Sequence, residues 1–273
     1  MSNRKQSLYF LFLFLFSCST DKKSEFRYFP DGSIELETKY VNDSTGVFLA
    51  YYPGGARKDS MTLVNGKLHG RLKRYFPNGK LKEDCYWVND KKVGPCNTYF
   101  LSGNLESVAT FDDSVKVGNA YEYYDIPGKK LRFTGNYAKV NGRKWVNYTT
   151  LYDSLGTIEK ASVQIRDIKG SKTVSINDSL KLTFDLDHLE LPLIRVFIGD
   201  YDQNYNQPEN AKDKVYDGKD KRIVAYIVPA KLGKHTARGF VQNYKVVENF
   251  KDGTYKTYGK DIYWSYDYEV VNK

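Results

Sequence analysis

Catalysis would need side chains that exchange protons, attack carbonyls or hold a metal, and this chain supplies few in any working arrangement. His69, His188 and His235 lie in separate segments, with no metal-ligand spacing between any two of them. No nucleophile elbow, no paired histidines on a helical spacing and no phosphate-cradling glycine loop occurs. Carboxylates are plentiful, but no local motif pairs them for acid–base work. The expectation is therefore a protein that is no enzyme, with no catalytic residue, no cofactor and no metal site. The residues left with chemistry are the cysteines Cys18, Cys85 and Cys96. Cys85 and Cys96 flank a turn at residues 89–92, and a symmetric turn there sets them opposite each other across a hairpin. The corresponding positions on either side of them are Met61 with Leu72 and Ala109 with Ala120, matched apolar pairs. Cross-strand cysteines in an oxidising compartment can be bridged, so a disulfide is expected; the alternative is a pair of small buried apolar side chains.

Cys18 belongs to the amino terminus, which sets the compartment. Arg4 and Lys5 precede an uninterrupted apolar run from Leu8 to Phe16, too short as a helix to cross a bilayer. Leu15-Phe16-Ser17-Cys18 follows the order of the bacterial lipoprotein signal, which it resembles, and Phe16 departs from the small residue more usual there. The resemblance implies cleavage after residue 17, acylation of Cys18 and residues 18–26 as a polar tether. Two or more acyl chains make a stable membrane anchor. The same resemblance, with Ser19 rather than an aspartate after the cysteine, implies the outer membrane, on its periplasmic or its outer side.

The elements that must hold these residues repeat. Aromatic or apolar pairs recur as Tyr28-Phe29, Tyr51-Tyr52, Tyr75-Phe76, Tyr99-Phe100, Tyr123-Tyr124 and Leu151-Tyr152, spaced by 23, 24, 24, 24 and 28 residues. Each is followed by a glycine, and halfway through each unit comes a second turn: Asn42-Asp43, Asn65-Gly66, Asn89-Asp90, Asp112-Asp113 and Asn141-Gly142. Each unit reads as a β-hairpin, and since a lone hairpin is marginal in water, the units must stack into a continuous sheet.

Tyr75-Phe76-Pro77-Asn78-Gly79-Lys80-Leu81-Lys82 and the segment 87–95 resemble the MORN-type repeats of the YwqK-like antitoxin group, over residues 27 to about 157. Met61, Cys85 and Ala109 depart from it, standing where that group often has glycine. The resemblance implies a single-layered, gently twisted array of hairpins without an active site. Tyr75, Tyr99 and Tyr123 invite a ligand-facing reading in which exposed rings stack on sugars or on a partner. The architectural alternative is that one residue of each pair builds the packed face.

After residue 160 the period disappears. Seven candidate strands, at 162–166, 173–176, 180–186, 193–198, 222–227, 235–247 and 262–271, fit an immunoglobulin-like β-sandwich over 161–273. Asp200, Asp202, Asn204 and Asn206 alternate as calcium ligands do, but Tyr205 and Ala211 stand where the loop glycine and the bidentate glutamate belong. A solvated polar loop is the other reading.

The fold class is thus all-β, with a signal peptide over 1–17, a tether, an array over 27–160 and a sandwich. The formal charge of +9 is interleaved with acids, and the basic cluster Lys67, Arg71, Lys73, Arg74, Lys80 and Lys82 reads as a solvated strand face, so no nucleic-acid partner is expected. Its expected role is that of a lipid-anchored envelope scaffold for a protein partner, with a glycan- or peptidoglycan-binding module or an immunity protein as alternatives.

Overall fold

The computed structural model describes residues 24–218 and 220–272, so the signal segment and Cys18 lie outside the described residues. The first half of the chain is one antiparallel meander of 13 strands. Its strands are β1 (Ser24–Tyr28), β2 (Ile34–Asn42), β3 (Thr45–Tyr51), β4 (Arg57–Val64), β5 (Lys67–Leu68), β6 (Gly70–Tyr75), β7 (Leu81–Val88), β8 (Lys91–Tyr99), β9 (Leu105–Asp112), β10 (Val115–Tyr123), β11 (Leu131–Val140), β12 (Arg143–Tyr152) and β13 (Ile158–Ala161). They pair in chain order, with β5 a short addition to β4. β1 takes Ser24, Glu25 and Phe26 out of the segment assigned to the tether, because Phe26 pairs with Glu37 in the first ladder.

One long edge of the sheet carries a turn repeated to the hydrogen bond. Phe76 N–H donates to Lys80 O at 2.8 Å and Gly79 N–H to Phe76 O at 2.9 Å, and the same two bonds close the turns at Phe29, Tyr52 and Phe100. At the last turn they are made by Asp153 with Thr157 and Gly156. The sixth pair is therefore Tyr152-Asp153 rather than Leu151-Tyr152, which restores Gly156 to the register of the other turn glycines. The opposite edge carries two-residue turns with left-handed backbone at both positions, Asn65-Gly66, Asn89-Asp90 and Asn141-Gly142. In the fourth unit the turn residues are Asp113-Ser114, one position beyond the expected Asp112-Asp113.

Cys85 pairs with Cys96 for a reason other than a symmetric four-residue turn. Val88 faces Lys91 and Tyr86 faces Val93, the register of a two-residue turn, and then a bulge at Gly94-Pro95 moves the ladder on so that Cys85 faces Cys96. Gly94 has a φ of 65°, which a β-carbon disfavours, and Gly118 repeats it at 66° in the next unit. The structure joins the two cysteines by a disulfide, with 4.2 Å between α-carbons. Replacing both by alanine puts there the residues that the neighbouring unit buries at the equivalent positions, Ala109 and Ala120. Removing a cross-link of this loop length is expected to cost about 2–3 kcal/mol. Alkylation with and without reductant reads the bond itself: both cysteines should stay unlabelled until reduced, and two thiols labelled without reductant would refute it.

The second half has two sheets facing each other. β14 (Gln164–Lys169), β16 (Leu180–Asp187) and β19 (Arg222–Ile227) form one. The other runs in the order β15 (Thr173–Ser175), β21 (Tyr255–Val271), β20 (Gly233–Asn249), β17 (Leu193–Gly199) and β18 (Lys214–Gly218). The opening strand is split between the sheets, and its second half, β15, pairs in parallel with the last strand, β21. Two antiparallel sheets joined by crossing connections, with the opening strand divided between them, are the immunoglobulin-like arrangement. Between them lies the molecule's apolar core, in which Leu182, Phe184, Val196, Ala225 and Val241 are fully buried. Alternation along Leu180–Leu186 supplies one wall of it.

Candidate functional site

Tyr75, Tyr99 and Tyr123 are half-buried, each ending its strand just past a register shift. Each stands three positions after a member of a buried file of residues running across the array, Leu72, Cys96 and Ala120. Leu72 faces Cys85, Cys85 faces Cys96 and Cys96 faces Ala109, and further on Ala120 faces Gly135. A single-layered sheet has no second layer to cover that file, so aromatic side chains do. Over Gly135 the rings of Phe133 and Tyr137 leave no room for a β-carbon, which would meet Phe133 Cζ at 2.9 Å. Other tyrosines tie neighbouring units: Tyr52 Oη donates to Tyr75 O at 2.9 Å and Tyr124 Oη to Tyr152 O at 2.7 Å. Of the three singled out, Tyr99 borders a shallow groove of about 730 Å³, with Tyr124, Ile126 and Lys129, where the turn closed by Tyr124 N–H on Lys130 O is longer than its counterpart at Phe100. The basic cluster is partly neutralised in place. Arg71 pairs with Asp84, and Arg74 with Glu83 at 3.1 Å and Asp59 at 3.5 Å.

The array and the sandwich meet along β12 and β21, where two residues of β12 bond across the junction, and Asn141 N–H at the preceding turn donates to Asn204 O at 3.0 Å. β12 is bulged between the partners of Asn136 and Tyr137, which leaves Asn147 without an opposite number in the ladder. Its side chain turns to the sandwich and acts as one more strand residue. Asn147 Nδ2 donates to Tyr263 O at 2.9 Å, and Tyr263 N–H donates back to Asn147 Oδ1 at 2.9 Å. Beside it Trp145 Nε1 donates to Asp261 O at 3.0 Å, and its ring meets Tyr263 edge-on at 5.6 Å. An extension of the array's ladder thus caps the free edge of the sandwich. Asn147 is 3 % exposed, and its loss would leave two backbone groups of Tyr263 unpaired. Asn147→Ala is expected to weaken the junction by about 2 kcal/mol and to let the two halves reorient. Small-angle scattering should then report a larger radius of gyration with unchanged strand content, and an unaltered scattering curve would refute the role.

Beside this seam opens a cleft of about 610 Å³, walled by Asn119, Asn136 and Tyr148 of the array and by Gln203, Tyr205 and Tyr263 of the sandwich. Amides run in a file across its floor. Asn136 Nδ2 donates to Asn119 Oδ1 at 2.7 Å, and Asn147 Nδ2 donates to Asn136 Oδ1 at 2.8 Å. Tyr205 is presented by a rigid turn. The Asp202 carboxylate accepts from Asn204 N–H at 2.7 Å, Asn206 N–H at 2.9 Å and Asn206 Nδ2 at 3.0 Å, so this carboxylate organises its own loop. These bonds hold Asp202 below the usual carboxylate range. The Tyr205 ring lies 4.8 Å from that of Tyr263, and burial lifts its hydroxyl to about 12. Burial also raises Tyr148 and Tyr263, so the phenols of the cleft stay neutral at any physiological pH. Asp261, at the seam, is pushed up by burial although Gln242 Nε2 donates to it at 2.9 Å.

Sequence reasoning did not find this site. Its residues come from four strands and a loop whose proximity depends on how the halves dock. The one signal in the sequence was Asn119 and Asn147 at equivalent steps after their hairpin turns, following Gly118 and Val146. Fold and junction together define a class: a meander of repeated hairpins fused edge-on to an immunoglobulin-like sandwich. Within the array, residues 68–89 match the family described as a MORN repeat variant, which makes this segment a MORN-type repeat. No curated protein matches the chain.

Proposed function

We propose that this chain is a non-enzymatic scaffold of the cell envelope, anchored through an acylated Cys18, that holds a protein partner on the joined surfaces of its array and sandwich. The observation that carries this reading is the Asn147–Tyr263 seam. It joins the surface of the 13-stranded array to that of the sandwich, and repeat arrays serve as extended binding surfaces. The MORN-type repeat over residues 68–89 supports an interaction module rather than a site of chemistry. The lipoprotein-like order of residues 4–18 supports export and anchoring.

Affinity capture after crosslinking in intact cells tests it. The expected result is one recurrent envelope protein, lost in Asn147→Ala while the variant still accumulates. Recovery of no crosslinked protein would overturn the scaffold reading, and a Cys18→Ser variant that stays membrane-bound would overturn the anchor.

A further inference from the structure

We propose that the cleft at the array–sandwich junction is a binding site for a neutral saccharide. The class follows from the charges, the spare hydrogen-bonding groups and the aromatic faces. Charges in the wall cancel and are already engaged: Asp112 binds Lys139 Nζ at 3.0 Å, Asp167 lies 3.7 Å from Lys169, and Arg166 lies 3.8 Å from Asp185. An ionic ligand would have to break such a pair, whereas a neutral one leaves them intact. What remains unused is neutral and polar. The Gln203 amide and the second amide hydrogen of Asn136 have no side-chain partner among the described residues, nor does Asn119 Nδ2; Tyr148 Oη reaches Asn119 Oδ1 only at 3.4 Å.

Such groups suit hydroxyls, each of which can donate to a carbonyl oxygen and accept from an N–H. The rings of Tyr148, Tyr205 and Tyr263 supply apolar faces for the C–H side of a sugar, the combination of apolar wall and few fixed polar groups that small-ligand sites show. Two features indicate that this geometry is held in advance of a ligand. Asn136 is bonded on both sides, so its amide cannot swing. Tyr205 sits at a φ of 59°, a left-handed conformation that costs a bulky residue on the order of 1 kcal/mol. The Asp202 turn and the Tyr263 contact offset that cost, and the result is a ring aimed into the cleft.

Calorimetric titration of the full chain with neutral hexasaccharides tests the assignment, using β-1,4-linked N-acetylglucosamine, β-1,4-glucan, α-1,4-glucan and mannan in turn. At least one should bind with an affinity that hardly changes between low and high salt. Gln203→Ala, which removes a side chain with no hydrogen bond among the described residues, should weaken that binding about tenfold, as should Asn119→Leu. Tyr99→Ala, in the separate groove of the array, should leave it unchanged. No heat with any of the four would overturn the proposal. So would a steep fall with salt, which means an anionic ligand, or binding lost in Tyr99→Ala and kept in Gln203→Ala, which moves the site to the array. The outcome is independent of the protein partner, whose capture is read out separately.

Discussion

Replacing Asn243 by leucine is expected to lower the stability of the sandwich by about 3–5 kcal/mol, although the substitution is apolar, similar in size and placed on a strand. Asn243 lies on β20 and is 1 % exposed. Its Oδ1 accepts from Glu190 N–H at 3.1 Å and Leu191 N–H at 3.0 Å, and its Nδ2 donates to Leu191 O at 2.7 Å and Leu193 O at 3.0 Å. The segment leading into β17 therefore has its backbone groups satisfied by one side chain in place of a strand. Leucine restores the volume and leaves two donors and two acceptors without partners. Each buried orphan costs about 1–3 kcal/mol, and those nearest the surface recover water. Trp264, 4 % exposed in the same core, gives a fluorescence signal for urea unfolding of this half. A stability within about 1 kcal/mol of the parent would show that the loop finds other partners.

Asn243→Asp separates the two halves of this effect. A carboxylate keeps both acceptor roles and loses both donor roles, so it faces the carbonyls of Leu191 and Leu193 with negative charge. Burial and those carbonyls favour its neutral acid, which raises the folded-state pKa above the unfolded one. The stabilising contribution is then fully present below the unfolded value and lost as pH rises through the folded one. The deficit relative to the parent should narrow on acidification, and a deficit independent of pH would mean that the donor bonds matter little.

What could be read from the sequence was what repeats. The hairpin period, the turn glycines and the Cys85–Cys96 pairing all follow from comparing one unit with the next. Where a unit departs from the others, comparison failed: an Asp153 at the aromatic position hid the true sixth pair. The cysteine pairing also came through despite the wrong turn, since a shorter turn and a bulge shift the register in ways that compensate. In the sandwich, strands that bury one face were legible, as Leu180–Leu186 shows. The β21 side of the outer β20–β21 hairpin, from Tyr255 to Asp261, was not, because it extends past the core: Tyr255 and Tyr258 are exposed, and no alternation marks the strand. Its turn repeats the array's own bonds, Phe250 N–H to Thr254 O at 2.8 Å and Gly253 N–H to Phe250 O at 3.2 Å. β18 was missed because Lys214–Gly218 is a short edge strand, whose Val215 is exposed. The junction cleft was invisible for a further reason. It depends on contacts between Asn147 and Tyr263, 116 residues apart, and no local pattern encodes a contact at that range.

Two glycines with opposite surroundings give the sharpest contrast in this chain. Gly253 has a φ of 82°, and the place a β-carbon would take there has nothing within 4 Å, so Gly253→Ala meets only the left-handed backbone penalty, about 1–2 kcal/mol. Gly239 has ordinary strand backbone, which any residue adopts, yet a β-carbon there would stand 1.8 Å from Phe197 O and 3.0 Å from Trp264 Cζ2. It pairs with Ile198 on one side and Trp264 on the other, in the middle of the five-stranded sheet. The obstacle on the Phe197 side is backbone, which cannot rotate away as a flexible side chain would. Gly239→Ala is therefore expected to cost about 3 kcal/mol or more, by forcing β17 away from β20. The damage should spread to the stacked rings of Phe197 and Phe240, 4.3 Å apart, and from Phe240 to Tyr263 at 5.7 Å, the residue that the array grips. Hydrogen exchange should then show protection lost first along β17 and β20, with the amides of β7 and β8 unaffected. Loss of protection throughout the array would mean that the array depends on the sandwich for its fold, and a stability near that of Gly253→Ala would mean that the strands can separate freely at this point.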